Sequence, residues 1–266
     1  MGCDIHLYVE KFVDGRWVSV EPAYEVKYYG SSWKSWAPQV DGHNDWENDP
    51  TNRDYQLFAF LANVRNGYGF AGVDTGDAVI PQVAGRGIPS DTAWIEPTYD
   101  DDGEQVAGSA WLGEHSFTHA TLHELLGLPW DMEFTHRGVV NQQEYIEFIT
   151  KGSPSSWCGD VSGPNVRVFD REIPFARLLT DGALTENDYV RIEWKSKPLE
   201  NCSFVRWLRN MLLPLSPPTP GVWTCLYCGH MRKESDLECV HCKAPRGDDE
   251  RVGDPRNIRV VMGFDS

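Results

Sequence analysis

The pattern of apolar and polar residues at the start of the chain predicts a β-hairpin. Residues 3–12 alternate apolar and polar side chains, which is the period of a strand with one buried face. Asp14-Gly15 is a tight-turn signal, and the alternation resumes over residues 16–20. Residues 258–264 form another strand pattern at the end of the sequence. Because a lone strand needs a sheet, we predict that this last strand pairs with the hairpin.

Three segments carry helix signals. Apolar residues recur at every third position within 53–65, and Asn66-Gly67 supplies a stop. A capping-box pattern, Thr-x-x-Glu at 121–124, predicts a second helix that starts near residue 118 or 121. The pattern Asn-x-x-Glu at 141–144 predicts a third helix that runs to about residue 150.

The remaining patterns complete the predicted fold. Residues 189–195 alternate as a strand, and residues 199–213 have the pattern of a helix. Residues 24–51 and 67–110 show no period and predict loops. We therefore predict an α+β fold with a mainly antiparallel sheet, in which the N-terminal hairpin pairs with the C-terminal strand, and with three or four helices.

The cysteines define a separate module before the last strand. Of seven cysteines, four form two Cys-x-x-Cys pairs with ten residues between them: Cys225, Cys228, Cys239 and Cys242. Zinc favours four tetrahedral ligands, and each pair presents two thiolates, so we predict one structural zinc ion. A segment this short could not bury a core of its own, so the metal would stabilise its fold.

These signals divide the chain into four predicted segments. Residues 1–213 form the α+β body, and the proline-rich residues 214–220 form a stiff linker. Residues 221–246 form the inserted cysteine module, a zinc finger or ribbon. Residues 247–266 contain an acidic tether and the final strand, which returns to the sheet of the body.

The cysteine module resembles a known class of zinc finger. Trp223 stands two residues before Cys225, and the spacing of the four cysteines matches the class named after the Ran-binding nuclear pore protein. The resemblance implies zinc and an interaction role. Arg232 stands where that class usually has Asn, and this departure weakens the expectation that the module reads single-stranded RNA.

Charge narrows the classes of partner. The 266 residues carry 24 Lys and Arg against 40 Asp and Glu, a formal charge of −16. A protein that grips nucleic acid over a broad surface needs a basic face, so nucleic acid is disfavoured for the body and stays open only for the slightly basic cysteine module. The sequence shows neither a membrane-length apolar run nor a secretory signal, which predicts a cytoplasmic protein without a membrane contact.

The first strand carries a candidate catalytic set. Asp4, His6 and Glu10 share one predicted face, and His115 is a further candidate from the middle of the chain. Such residues supply general acid–base chemistry or ligands for a second divalent ion. The alternative is that Asp4, His6 and Glu10 line a solvated strand face, and that His115 anchors a loop.

Two weaker candidates lie elsewhere in the body. Arg86 is flanked by Gly85 and Gly87, which suits contact with an anionic ligand, although an exposed turn has the same pattern. His119 and His123 would share one helix face, as metal ligands can, if both lay on the second predicted helix. We favour a surface helix for this histidine pair.

The body is also similar to an uncharacterised family of tailed phages and bacteria. The matching features are the N-terminal Met-Gly-Cys-Asp-Ile-His strand, Arg53-x-Tyr55, the loop 86–89, His115-Ser116 and the terminal Phe264-Asp265. The resemblance implies a phage or mobile-element origin, with the host cytoplasm as the location, and no particular reaction.

Two functional hypotheses follow from the sequence. The first is a phage-type accessory protein that contacts a host macromolecule, most simply a host protein, through its zinc module, while the acidic body engages a basic partner or a ligand. The second is a metal-dependent hydrolase that acts on a phosphate or nucleotide substrate. Both agree with the composition, and the sequence alone does not decide whether the protein is an enzyme.

Overall fold

The computed structural model describes residues 2–28, 31–37, 39–40, 43–44, 49–103, 105–217, 221–225, 230–233, 236, 238–244 and 253–265. In this part of the chain the strands are β1 Ile5–Val13, β2 Arg16–Val20, β3 Tyr24–Tyr28, β4 Ser31–Ser35, β5 Gln39–Val40, β6 His43–Asn44, β7 Thr98–Tyr99, β8 Gln105–Ala107, β9 His115–Thr121, β10 Phe134–Val140, β11 Arg167–Phe169, β12 Asp188–Ser196, β13 Val222–Thr224, β14 Met231–Lys233 and β15 Ile258–Phe264. The α-helices are α1 Tyr55–Ala62, α2 Leu122–Leu126, α3 Gln142–Lys151, α4 Glu172–Thr180 and α5 Ser203–Trp207. Helical segments of other types span Phe70–Gly72, Leu208–Leu212, Leu213–Leu215 and Pro255–Asn257.

The chain forms two compact units. One consists of residues 1–2, 55–80 and 131–200, and the other of residues 3–54, 81–130 and 201–266. Helices and mainly antiparallel sheets occur together, which confirms the predicted α+β class. Of the helices that the structure describes, none has the length and apolarity needed to cross a bilayer.

The sheet of the second unit joins the two ends of the sequence. Its strand order is β2-β1-β15-β9, and every neighbouring pair is antiparallel. Asp14 and Gly15 form the turn between β1 and β2 with φ values of 51° and 81°, which a two-residue hairpin requires. Strand β15 pairs with β1 from Ile5 opposite Phe264 to Lys11 opposite Ile258, as the prediction of a returning last strand required.

The fourth strand of this sheet corrects the prediction for the second helix. Residues 115–121 form β9, and α2 begins only at Leu122. Thr121 is the N-cap of α2 and makes the predicted capping box with Glu124. The Thr-x-x-Glu pattern therefore locates the start of the helix correctly, and the residues before Thr121 are extended. His119 therefore lies on a strand and His123 on a helix, and the prediction that they share a helix face is wrong.

Other predicted elements are present with altered bounds. Helix α1 is shorter than predicted because Asn63 adopts a left-handed φ of 64° and ends it. Helix α3 has the predicted capping box between Asn141 and Glu144. Helix α4 was not predicted, and short hairpins β3–β4 and β5–β6 replace part of the loop expected for residues 24–51. The two-residue strands β5 and β6 are too short for a period to be visible in the sequence.

Both faces of the central strands β1 and β15 are covered. One face carries Ile5 and Val9 of β1, which are buried with their partners on β15. On the other face Tyr8 packs against Leu112 and Val261, with Ile88, Trp94 and Phe117 around them. The segment 81–112, most of which the sequence predicted to be loop, therefore covers the sheet face that carries the candidate residues of β1.

A buried ion pair lies under this cover. Arg259 Nε donates to Glu10 Oε1 at 2.5 Å, and the side chains of Glu10 and Arg259 are 0% and 8% exposed. Glu10 Oε2 accepts from Thr92 Oγ1 at 3.0 Å and from the amide of Ala93 at 2.8 Å. Arg259 also pairs with Asp91 at 2.8 Å. Oε2 of Glu10 thus holds the covering segment on the sheet directly, and Oε1 does so through Arg259, which pairs with Asp91 of that segment.

The first unit has its own core. Strands β10 and β12 are antiparallel, and β11 runs parallel to β12. Val140, Tyr145, Phe175, Val190, Ile192 and Trp194 form its buried cluster between this sheet and helices α3 and α4. Asp188, which is 1% exposed, receives two bonds of 2.6 Å from Arg167 and two more from Thr185. This carboxylate ties β11 to the start of β12.

We expect the substitution Glu10→Gln to reduce the free energy of unfolding by about 3 kcal/mol, because it leaves the buried guanidinium of Arg259 without its nearest charge. Urea unfolding monitored by circular dichroism measures the loss. Glu133→Gln is the matched control, since Glu133 pairs with Lys195 at 3.0 Å on the surface and should change little. Equal stability of the two variants would contradict a stabilising role for the Glu10–Arg259 pair.

Asp188 predicts a pH dependence of stability. The guanidinium of Arg167 holds the pKa of the Asp188 carboxyl well below its ordinary value. A lowered folded-state pKa stabilises the protein above the unfolded pKa of about 3.9, and the stabilisation is lost as the pH falls towards the folded value. We therefore expect Asp188→Asn to be less stable than the native protein at neutral pH, with a gap that narrows in urea unfolding at pH 3. A gap that stays constant between the two pH values would refute the linkage.

Candidate functional site

The cysteine module is built on a short hairpin and a tight turn. Strands β13 and β14 are antiparallel, and the amide of Cys225 donates to the carbonyl of His230 at 3.1 Å just beyond them. The second turn closes through two backbone bonds of 2.7 Å, from Cys239 N to Ala244 O and from Lys243 N to Cys239 O. These bonds fix the backbone at the first and third cysteines of the predicted quartet.

The hairpin and the turn bring three thiols together. The sulfur atoms of Cys225, Cys239 and Cys242 all lie within 4.8 Å of one another, and Cys225 and Cys242 are 3.5 Å apart. That separation is far longer than a disulfide bond, so Cys225 and Cys242 are not disulfide-bonded to each other. Cys225 and Cys239 are buried and Cys242 is exposed, while the predicted ligand Cys228 lies outside the described residues. The cluster is close enough to hold a metal ion.

Side chains around the thiols fit this role. Trp223 and Ala244 pack against Cys225 and Cys239 and exclude water from one side of the cluster. Arg232 Nη2 donates to Cys239 Sγ at 3.1 Å. A guanidinium stabilises a thiolate, which is the form that binds metal, and a hydrogen bond to a ligand sulfur orients it.

The two ends of the module meet where it joins the body. The amide of Asp254 donates to the carbonyl of Pro217 at 2.8 Å, and Thr224 Oγ1 donates to the carbonyl of Gly253 at 2.8 Å. A Cβ on Gly253 would lie 1.9 Å from the carbonyl oxygen of Ser216, so only glycine allows this approach. The chain therefore enters and leaves the module at one point, immediately before β15. Residues 218–220 of the predicted stiff linker lie outside the described residues.

Asp4 and His6 lie beside a second candidate feature, a cavity of about 420 Å³. His6 Nε2 is 3.2 Å from Asp265 Oδ2, and Asp265 Oδ1 accepts from the amide of Asp4 at 2.8 Å. Arg53 grips both oxygens of Asp4 at 2.8 and 2.7 Å, which lowers the pKa of that carboxyl. The ring of His6 also contacts Trp111, with centroids 4.6 Å apart.

The other candidates of the sequence lie apart from this cavity. Glu10 is committed to Arg259 under the covering segment, and His115 Nδ1 is 2.9 Å from Ser116 Oγ. Neither lines the cavity, and among the described residues the three cysteines are the group of three or more His, Cys, Asp or Glu close enough to share an ion. Of the predicted set, Asp4 and His6 thus lie together at the cavity, whereas Glu10 and His115 lie elsewhere and do not join them in one site.

Arg86 contacts the protein itself. Its Nη1 donates to Glu124 Oε1 at 2.9 Å and to the carbonyl of His119 at 3.2 Å. Gly85 and Gly87 on either side have φ values of 76° and 70°, as expected of a tight turn. Arg86 therefore links this turn to the N-terminus of α2. Part of its guanidinium is already bonded to Glu124 and His119, which leaves fewer donors for the predicted anionic ligand.

Sequence reasoning missed three contributors. Asp265 and Arg53 belong to the sequence motifs of the body, but the sequence assigns no role to either residue. Arg232 stands out in the sequence only because it differs from the residue usual in the zinc-finger class. The predicted pairing of the first and last strands was a signal for Asp265, because antiparallel register places the residue after Phe264 beside Asp4. Arg53 and Arg232 act across distances that no local pattern reveals.

Fold and site together define an α+β protein with a cysteine cluster able to hold a metal ion. Comparison of the chain with protein-family models, with curated proteins and with solved structures found no match. The resemblances to the phage and bacterial family and to the zinc-finger class stay predictions.

The bond from Arg232 to Cys239 can be tested by metal titration. We expect Arg232→Ala to weaken metal binding by about tenfold, because a partner of a ligand atom is lost. Competition between the protein and a chromophoric chelator for Co²⁺ measures the affinity. Lys233→Ala is the matched control, since Lys233 is exposed on the same strand. An unchanged affinity in Arg232→Ala would show that the guanidinium does not act on the ligand.

Proposed function

We propose that the protein is a zinc-binding interaction protein whose cysteine module contacts a partner macromolecule. The observation that carries the proposal is the convergence of three thiols within 4.8 Å. Soft thiolate ligands select zinc over the hard divalent cations, and Cys228 would complete a tetrahedral set. A zinc site closed by four protein ligands has no open position for substrate, so its role is structural.

An exposed turn supports the interaction role. Between the ligands Cys239 and Cys242 the chain presents Val240, which is 62% exposed, and His241, whose ring stacks on His230 at 3.8 Å. Exposed apolar and imidazole groups held on a metal-stabilised turn suit contact with a protein surface. The resemblance of the body to a phage and bacterial family favours a host protein as the partner, and the interaction would take place in the host cytoplasm.

The geometry favours the alternative, a metal-dependent hydrolase, less well. A second divalent ion would need carboxylate oxygens, but those of Asp4 are paired with Arg53 and those of Glu10 with Arg259 and the backbone of the covering segment. Beside the cavity, His6 and Asp265 form a pair that acid–base chemistry could use. The hydrolase is therefore the second hypothesis, and the metal analysis described below tests it.

The central experiment is affinity capture from host lysate with matched surface variants. We expect Val240→Asp to lose the captured partner, because it places a charge on the proposed contact, and to keep one zinc per chain by elemental analysis. Val106→Asp is the control, since Val106 is equally exposed at 63% on β8 and should capture normally. Capture that is unaffected by Val240→Asp would refute the contact.

Metal analysis separates the two functions. We expect Cys→Ser substitution at all four predicted ligands to abolish bound zinc, since the thiolates are the ligands of the single ion. A variant that retains stoichiometric metal would place an ion in the body and would favour the hydrolase. Circular dichroism of the variant checks that the body remains folded.

A further inference from the structure

Strand β1 has an open edge. Pairing with β2 ends at Val9 opposite Val20, because the chain reaches Pro22 two residues later and Pro cannot continue a ladder. Strand β1 nevertheless runs on to Ile5, where it pairs with β15 on its other side. Among the described residues, none forms a ladder with the β2 side of residues 5–8.

Hairpin geometry shows which backbone groups face this edge. The two-residue turn at Asp14-Gly15 makes Val13 and Arg16 a hydrogen-bonded pair, and such pairs then recur at every second residue along β1. The amide and carbonyl of Leu7, and those of Ile5, therefore point towards the side that β2 has left. The alternate residues point towards β15, in agreement with the bond from the amide of Asp265 to the carbonyl of Asp4.

Two cavities flank this edge. They measure about 420 and about 430 Å³, and both are lined by Leu7, Pro22, Trp36 and Ala110. The first is the cavity beside His6, and it also contains Asp49. Unpaired backbone groups on one line, with side-chain pockets beside them, are the two requirements for recognition of an extended peptide by strand addition.

The charges at the edge indicate the partner. The lining residues Asp49 and Glu21 are acidic, against one described cation of the lining, Lys34, while the carboxylate of Asp4 is paired with Arg53. Trp111, which is 41% exposed, adds an aromatic face that attracts cations. A second copy of this chain would bring the same formal charge of −16 to the contact, so a basic segment of another protein fits better.

We propose that the β1 edge binds an extended, basic segment of a partner protein by strand addition at Leu7. The segment pairs with the free amide and carbonyl of Leu7, and its Lys or Arg side chain enters the cavity that contains Asp49 and Trp111. This surface is distinct from the cysteine module and does not rest on the function proposed for it.

Residue-resolved hydrogen exchange by NMR tests the pairing, with a synthetic peptide of alternating Val and Lys as the probe. In the free protein the amide of Leu7 should exchange faster than those of His6 and Tyr8, which pair with β15. Peptide binding should slow exchange at Leu7 by about tenfold or more. Peptide binding that leaves the Leu7 amide unprotected, or absence of binding at millimolar peptide, would overturn the proposal.

Matched probes and variants test the occupant. A peptide with Glu in place of Lys should bind about tenfold more weakly, and equal binding would refute the charge argument. Ala110→Trp should abolish binding because it places an indole in the lining that the two cavities share, whereas Ala107→Trp, exposed on β8, should not. Analytical ultracentrifugation provides the last check, since a dimer that Ala110→Trp abolishes would show that a second copy occupies the edge.

Discussion

The pairing of β1 with β15 is the constraint on which the second unit depends. It joins residues that are more than two hundred positions apart, and both strands lie between two covered faces. The buried pair of Glu10 and Arg259 spans the same two strands and holds the segment above them in place. Burial of two charges is costly without a partner, so this pair also makes any other register of the two strands unfavourable.

The same constraint explains how the cysteine module can be inserted without disturbing the sheet. Its entry and exit meet at Pro217 and Asp254, directly before the 3₁₀ turn that leads into β15. Asp254 is 3% exposed and caps that turn through the amide of Arg256, so the chain is already fixed when it enters the strand. An insertion whose ends are adjacent costs the host sheet little, because the closure of the loop is provided by the body.

We propose an interaction role for two surfaces of the protein, the cysteine module and the open edge of β1. The cysteine cluster, which is close enough to hold a metal ion, supports an exposed turn. The open edge of β1 presents unpaired backbone groups beside two cavities, next to the pair of His6 and Asp265. The formal charge of the chain is −16, and the acidic sheet edge suits a basic segment of a partner. The cysteine module would make a different contact.

Local patterns in the sequence were enough for the hairpin β1–β2, for strands β12 and β15, for the capping boxes of α2 and α3 and for the cysteine spacing, because each depends on neighbours within one element. The sequence did not reveal β9, whose residues carry a helix cap directly after them, or the segment 81–112 as a cover for the sheet. It also grouped Glu10 with Asp4 and His6, since alternation shows which residues share a face but not what lies above that face. Only the tertiary structure placed Arg259 over Glu10, Arg53 on Asp4 and Asp265 beside His6, because these contacts join residues that are distant in the chain.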